Sequence, residues 1–180
     1  MAKCYDYSKI KSVINKTVFF DANILLYIFW PTGLLSWEKK YSSIFKKLLA
    51  QKNTMVVDFI VISEVVNRAI KIEYEKYLQA KVISSQNLRF KQFRDSNDGK
   101  NALSDIYQVV NRNIVNRFNV TGKIFTKTDI ENFLQVNSVD FSDKGIISIC
   151  EENNFVLLTN DKDFANTDLE IVTSNPALLK

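Results

Sequence analysis

The chain has 180 residues, of which 46% are hydrophobic, and it carries 24 Lys and Arg against 20 Asp and Glu. With four Gly, two Pro and two Cys, this composition excludes a fibrous chain, a disordered chain and a disulfide framework, and it allows one sizeable core. The first residues, MAKCYDYSKIK, lack the apolar run of a signal peptide and no apolar run could span a membrane, so we expect a cytoplasmic protein without a membrane partner.

Short apolar runs alternate with segments of helical spacing along the chain. In chain order the pattern predicts strand Thr17–Phe20, helix 22–30, a break at 31–33, helix 36–50, strand 55–57, helix 59–79, a loop at 94–100, helix 101–118, a turn at 119–123, helix 142–152, and strands 155–159 and 170–173. Such alternation predicts an α/β fold with a central, mostly parallel sheet covered by helices on both faces.

Three weaker local signals add to this pattern. Phe90 and Phe93 have the spacing to anchor a further helix inside the segment 80–100. Thr128 begins a sequence that is similar to a capping box and predicts a short helix. Ser142 is predicted to cap the helix that ends near Asn153 and Asn154.

Charge is distributed unevenly along the chain. Residues 1–139 carry 21 Lys and Arg against 12 Asp and Glu, whereas residues 140–180 carry 3 against 8. An acidic pocket within a basic body suits a polyanionic substrate, because cations hold phosphates while metal ions bridge them to carboxylates. Ordinary surface charge explains the same numbers, so both readings stay open.

Acidic residues stand where hydrophobic segments stop. They are Asp21, Glu64, Asp140, Asp143, Asp161 and Asp163. A carboxylate beside an apolar core is costly to keep ionised, and several such sites predict one shared divalent cation. The chain has no His, so a carboxylate set favours Mg²⁺ or Mn²⁺. Taken singly, Asp143 also fits a helix-start acid, and Asp161 and Asp163 also fit turn residues.

Four motifs, in this order, resemble the PIN domain, particularly the toxin ribonucleases of VapC type. They are DANILLYIF, SEVVNR, FSDKGIISIC and LLTNDKDF, and they lie in the first 80 or so and the last 50 residues. The resemblance implies one PIN-like nuclease domain over residues 1–180, with residues 80–136 as a helical insertion within it.

The resemblance also implies a set of site residues. By similarity, the metal ligands and catalytic acids are Asp21, Glu64, Asp143 and Asp161, with Asn23, Asp140, Thr159 and Asp163 as auxiliaries. Asp143 is preferred to Asp140 as the third acid because DKGIISIC fits the family's helix start better. The family implies an endoribonuclease that needs Mg²⁺ or Mn²⁺, and often a small antitoxin partner that blocks the active site.

The segment 80–136 departs from shorter toxins of this type. It is rich in Lys, Arg, Asn and aromatic residues, and Arg89, Lys91 and Arg94 are its candidate RNA-binding residues. An RNA-gripping addition, a larger core and a homodimer contact all remain open for it.

Two other functions remain open. A degenerate nuclease fold would act as an RNA-binding or interaction module. A small-molecule phosphatase would also begin with an acid after the first strand, but it needs a second Asp where this chain has Asn23. Metal-dependent cleavage of RNA separates these alternatives from the nuclease.

Overall fold

Six short strands form one sheet in the computed structural model, which describes residues 2–30 and 32–179. In chain order they are β1 Lys3–Tyr5, β2 Thr17–Phe20, β3 Thr54–Asp58, β4 Asn119–Thr121, β5 Val156–Leu158 and β6 Glu170–Val172. Their order across the sheet is β1-β6-β5-β2-β3-β4, and each neighbouring pair is parallel. The predicted α/β fold with a parallel sheet is therefore confirmed.

Helices connect the strands. They are α1 Ala22–Phe29, α2 Leu35–Ala50, α3 Phe59–Lys81, α4 Phe90–Asp95, α5 Asn97–Val110, α6 Lys127–Phe133 and α7 Phe141–Asn153. A π-helical turn, Asn111–Val115, continues α5, and a 3-10 helix, Lys162–Asn166, follows β5. Within residues 2–30 and 32–179, no helix is both long and apolar enough to cross a membrane.

The direction of each crossover assigns the helices to the two faces of the sheet. From β2 the chain moves outward to β3 and then to β4, whereas from β4 it returns past both strands to β5. Because parallel crossovers are right-handed, the two directions put their helices on opposite faces. In agreement, α1 packs against α2 and α3, and α3 packs against α5.

Each of the central strands β2, β3 and β5 contains three consecutive buried apolar residues, as expected of a sheet covered on both sides. Val18, Phe19 and Phe20 of β2 are fully buried. The ring of Phe20 packs edge-on against Phe45 of α2 and against Phe118, with centroids 5.9 and 4.9 Å away. These contacts fix β2 at the centre of the core.

The loop predicted at residues 94–100 is wrong, because α4 and α5 meet there with only Ser96 between them. The Ser96 hydroxyl accepts the N–H of Gly99 at 3.1 Å and so caps α5. A Cβ at Gly99 would overlap the backbone carbonyl of Phe93, so this tight junction requires glycine. Phe93 is buried between Tyr74 and Tyr77, which confirms that it anchors a helix.

Two edge strands were not predicted correctly. The turn predicted at residues 119–123 contains β4, in which Val120 pairs with Val57 of β3. The strand β1 at Lys3–Tyr5 had no prediction at all. Both strands have three residues and contain no fully buried residue, so neither shows the alternating or continuous apolar pattern that marks a strand.

Helix ends also differ from the sequence prediction. The capping box of α6 begins at Thr126 and not at Thr128, since the Thr126 hydroxyl and the Asp129 side chain each bond the other's backbone N–H. Asp140, and not Ser142, is the N-cap residue of α7. The helix predicted at 101–118 begins four residues earlier, at Asn97, and changes to a π-helical turn after Val110.

Most other boundaries agree with the prediction to within two residues. The predicted stop of α7 is confirmed, with Asn154 left-handed at its end. Pro31, where the predicted break begins, lies outside the described residues, and Gly33 has a φ of 81°. The interpretation of residues 80–136 as an insertion in one domain stays a prediction.

Candidate active site

The sheet has a topological switch point between its two central strands. The chain leaves β2 through α1 and α2 toward β3, whereas it leaves β5 in the opposite direction toward β6. Connections that diverge in this way open a crevice at the carboxyl ends of the strands, which is where open α/β folds bind ligands. Asp21 directly follows β2, and Thr159 to Asp161 follow β5, so both segments border this crevice.

Asp21 is held rigidly at the edge of the crevice. Its backbone N–H donates to the carbonyl of Leu158 at 3.1 Å, and only 5% of the residue is exposed. Although Asp21 is the N-cap residue of α1, its side chain makes no capping bond. Instead, its Oδ2 accepts the hydroxyl of Thr159 at 2.6 Å and the side-chain amide of Asn23 at 2.7 Å. Two of the four auxiliary residues named from the sequence, Asn23 and Thr159, are therefore hydrogen-bonded to Asp21.

Asn160 ties the segment after β5 to the helices, and sequence reasoning missed it. Its N–H donates to Oδ1 of Asn23 at 3.3 Å, and its own Oδ1 accepts the hydroxyl of Tyr41 at 2.7 Å. Its carbonyl accepts the side-chain amide of Asn175 at 2.6 Å. The only sequence signal was its place directly before Asp161, because its partners are far away along the chain.

The acids influence one another's protonation. Burial raises the pKa of Asp21 to about 6, with added repulsion from Glu64 and Asp161 and opposing hydrogen bonds from Thr159 and Ala22. Burial also raises the pKa of Asp143 to about 7, and the charges of Asp21, Asp161, Glu64 and Asp140 raise it further. The acids predicted on four separate segments therefore lie close enough together to repel one another.

The remaining acids have different surroundings. Glu64, on α3, forms an ion pair with Arg68 one turn later at 3.0 Å. Asp161 accepts the N–H of Asp163 at 3.0 Å, and its own N–H donates to the Thr159 hydroxyl at 2.9 Å. Asp140 is the exposed N-cap residue of α7, and its charge contributes to the raised pKa of Asp143.

The donor set fits a hard divalent cation. The donors are all oxygen atoms, and in the described part of the chain neither Asp21, Asp143 nor Asp161 forms an ion pair with Lys or Arg. No three Asp, Glu, His or Cys side chains of residues 2–30 and 32–179 stand together at metal-binding distances. Mg²⁺ commonly has few protein ligands and several waters, so a spread carboxylate set suits it better than a closed cage.

The three residues predicted to bind RNA lie outside this cluster. Arg89, Lys91 and Arg94 are at α4, which packs against α3 and α5, and Arg94 pairs with Asp95 at 3.1 Å. Their charges are not among the main causes of the raised pKa values of Asp21 and Asp143. Their role in RNA binding stays a prediction.

Asp58 is a buried acid that sequence reasoning passed over. It ends β3 and is 2% exposed, and burial raises its pKa. Its side chain accepts the N–H of Val61 at 2.8 Å and caps α3. An acid after a strand therefore serves as a helix cap here, whereas the side chain of Asp21, in the equivalent position before α1, is directed to Thr159 and Asn23.

A parallel α/β domain with mutually repelling carboxylates at its switch point is suited to hold a cation and a phosphate beyond the strand ends. The chain belongs to the PIN domain family, which matches residues 18–170. PIN domains are generally nucleases and typically use divalent metal ions. The resemblance drawn from the four sequence motifs is confirmed at the level of this family.

Solved structures with a similar fold include the crystal structure of VapBC2 from Rickettsia felis bound to a DNA fragment from their promoter. That protein and this chain are 16% identical, with a TM-score of 0.48, over 87% of this chain and 98% of that one. No curated protein sequence matches the chain.

Proposed function

We propose that this protein is an endoribonuclease that depends on Mg²⁺ or Mn²⁺ and hydrolyses phosphodiester bonds of RNA. The observation that carries the proposal is that burial raises the pKa values of Asp21 and Asp143, and that neighbouring acids, among them Glu64 and Asp161, raise both values further. Membership of a family of nucleases supports the same reading.

In this proposal Asp21, Asp143 and Asp161 hold the cation, and Glu64 joins them directly or through water. A divalent cation in such a site lowers the pKa of water and neutralises charge on the departing oxygen of the phosphodiester. Thr159 and Asn23 keep the Asp21 carboxylate in one orientation through their bonds to Oδ2. Asp140 and Asp163 add negative charge at the border of the site.

The proposed partners follow from this chemistry. Single-stranded or looped RNA is the favoured substrate, because its unstacked bases are free to contact side chains. A small antitoxin that covers the acids, a homodimer and a cytoplasmic location belong to the same proposal. The VapC-type motifs of the sequence support the antitoxin in particular.

The decisive experiment is cleavage of RNA by the purified protein with millimolar Mg²⁺ or Mn²⁺, with and without a chelator. Asp21→Asn removes a ligand charge and keeps the side-chain shape, so we expect the rate to fall by at least about 100-fold while the fold survives. Asp105→Asn, at an exposed acid of α5, is the matched control and should cleave like the wild type. Equal rates for Asp21→Asn and the wild type would overturn the catalytic assignment.

The alternatives predict other outcomes in the same assay. A degenerate module binds RNA without metal-dependent cleavage. A phosphatase releases phosphate from a small ester and leaves RNA intact. Asn23 does not favour the phosphatase. That chemistry needs a second acid at this position, whereas Asn23 has a side-chain amide, which donates to Asp21.

A further inference from the structure

A cleft of about 300 Å³ lies beside the acid cluster, between α1 and α3. Asn23 and Tyr27 of α1, Leu34 of the following loop, and Arg68, Lys71 and Glu75 of α3 line it. Its volume is at the lower end of the range for small-ligand sites. Neither composition nor motif pointed to it in the sequence.

The cleft and the acid cluster share a wall. Asn23 lines the cleft, and its amide donates to Oδ2 of Asp21 at 2.7 Å. Arg68 also lines the cleft, and it pairs with Glu64 at 3.0 Å. A ligand bound in the cleft therefore lies next to any group that is bound at the acid cluster.

The α3 side of the cleft provides cations for an anionic ligand. Lys71 is exposed, and within residues 2–30 and 32–179 it has no ion pair. Arg68 lies on the preceding turn and has further donors beyond the one that binds Glu64. The carboxylates of the acid cluster repel a polyanion, and two adjacent cations beside them offset that repulsion.

The α1 side of the cleft provides flat and apolar surface. The ring of Tyr27 stacks on that of Tyr41, with centroids 5.7 Å apart and planes at 14°, so it is fixed in orientation. Leu34 is 50% exposed. Glu38 fixes the loop before Leu34, because it accepts the N–H and the hydroxyl of Thr32 at 2.8 and 2.9 Å. This side of the cleft is therefore preformed.

We propose that the cleft binds the nucleotide adjacent to the scissile phosphate of single-stranded RNA. Arg68 and Lys71 contact its phosphates, and Tyr27 and Leu34 contact its base. The inference rests on the proposed function for the identity of the polymer, and it adds the residues that select and position it. An acidic peptide of a partner protein is the competing occupant, but it has no base to use the aromatic side.

Three single variants of α3 test the charges of the cleft. Lys71→Gln removes a cation that lines it, Glu75→Gln removes an anion that lines it, and Lys81→Gln removes a cation of the same helix that lies outside it. The probe is a fluorescent 12-nucleotide oligouridylate, whose anisotropy is followed with chelator present so that no cleavage occurs.

We expect Lys71→Gln to weaken binding by roughly three- to tenfold at low salt and to reduce the slope of log Kd against log salt by about one. Glu75→Gln should tighten binding, and Lys81→Gln should bind like the wild type. With Mn²⁺ present, Lys71→Gln should raise KM for RNA cleavage more than it changes kcat.

The outcomes separate the cleft from the proposed function. If the wild type cleaves RNA and Lys71→Gln binds like Lys81→Gln, the cleft inference is overturned while the nuclease stands. If the wild type does not cleave but Lys71→Gln alone weakens binding, the cleft stands as an RNA-binding site and the nuclease falls. No RNA binding by the wild type, or equal competition by a polyglutamate of the same length, overturns the cleft inference.

Discussion

The hydroxyl of Thr159 connects the two strands that border the crevice. It donates to Oδ2 of Asp21 after β2 and accepts the N–H of Asp161 after β5. Thr159 is fully buried, so each of these bonds is shielded from water and hard to replace. One hydroxyl thus orients one acid and fixes the backbone of another.

Thr159→Val keeps the shape of this side chain and removes the hydroxyl. Because the Thr159 bond lowers the pKa of Asp21, its loss should raise that pKa above its value of about 6. The loss should also lower the free energy of unfolding by about 1–3 kcal/mol, since the N–H of Asp161 loses its acceptor. Carboxyl ¹³C NMR titration and urea unfolding measure the two effects. Thr159→Ser keeps the hydroxyl, so a shift of the same size in that variant would contradict this role.

At this scale, the sequence predicts where acids stand but not what each one does. Asp21 and Asp161 follow strands as predicted, and their roles as metal ligands stay a prediction. Asp58 follows a strand as well, yet it caps α3. The contacts of Asn160 and the cleft residue Lys71 depend on partners distant in the chain, so no local pattern reveals them.

Elements were predictable where their apolar pattern was long. The helices α1, α2 and α3 and the strands β2 and β3 lie close to their predicted bounds, because each is buried against the core on at least one side. The strands β1 and β4 lie at the sheet edges, are short, contain no fully buried residue and carry no comparable pattern. The junction of α4 and α5 contains Asn, Asp, Ser and Gly, which are typical of loops, and tertiary packing overrides that preference.

Gly99→Ala tests this junction. An added Cβ would meet the Phe93 carbonyl, so α4 and α5 must separate, and we expect the free energy of unfolding to fall by about 1–3 kcal/mol. Gly122→Ala is the control, because nothing lies within 4 Å of its added Cβ. Urea unfolding of both variants measures this difference. Equal midpoints would mean that the junction accommodates the added Cβ without loss of stability, against this prediction.

At the scale of the whole molecule, the fold brings together acidic residues that are far apart in the sequence. The acids come from four segments spread over 140 residues of the chain, from Asp21 to Asp161, and two of these segments border the switch point between β2 and β5. Such a site lowers stability when no cation is bound, because buried like charges repel. Among the described residues, Arg68 pairs with one of these acids, Glu64, whereas Asp21, Asp143 and Asp161 have no ion pair with Lys or Arg.

The metal-free protein should therefore lose stability as pH rises. The pKa of Asp21 is raised to about 6 and that of Asp143 to about 7, whereas an unfolded Asp titrates near 3.8. Between these values the folded protein holds more protons than the unfolded chain, so the free energy of unfolding falls as pH rises from about 4 to 7. Thermal melts with chelator at pH 4 and pH 7.5 measure this change.

Asp143→Asn should remove much of that loss. At pH 4 the variant and the wild type should melt alike, because Asp143 is then protonated in the folded protein. At pH 7.5 the metal-free variant should be more stable by on the order of 1 kcal/mol, a modest gain because solvent screens this half-buried group. Mn²⁺ should stabilise the wild type and the control Asp105→Asn, and affect Asp143→Asn much less. Were Asp143→Asn to match the wild type at both pH values and in its response to Mn²⁺, the four acids would not share one site.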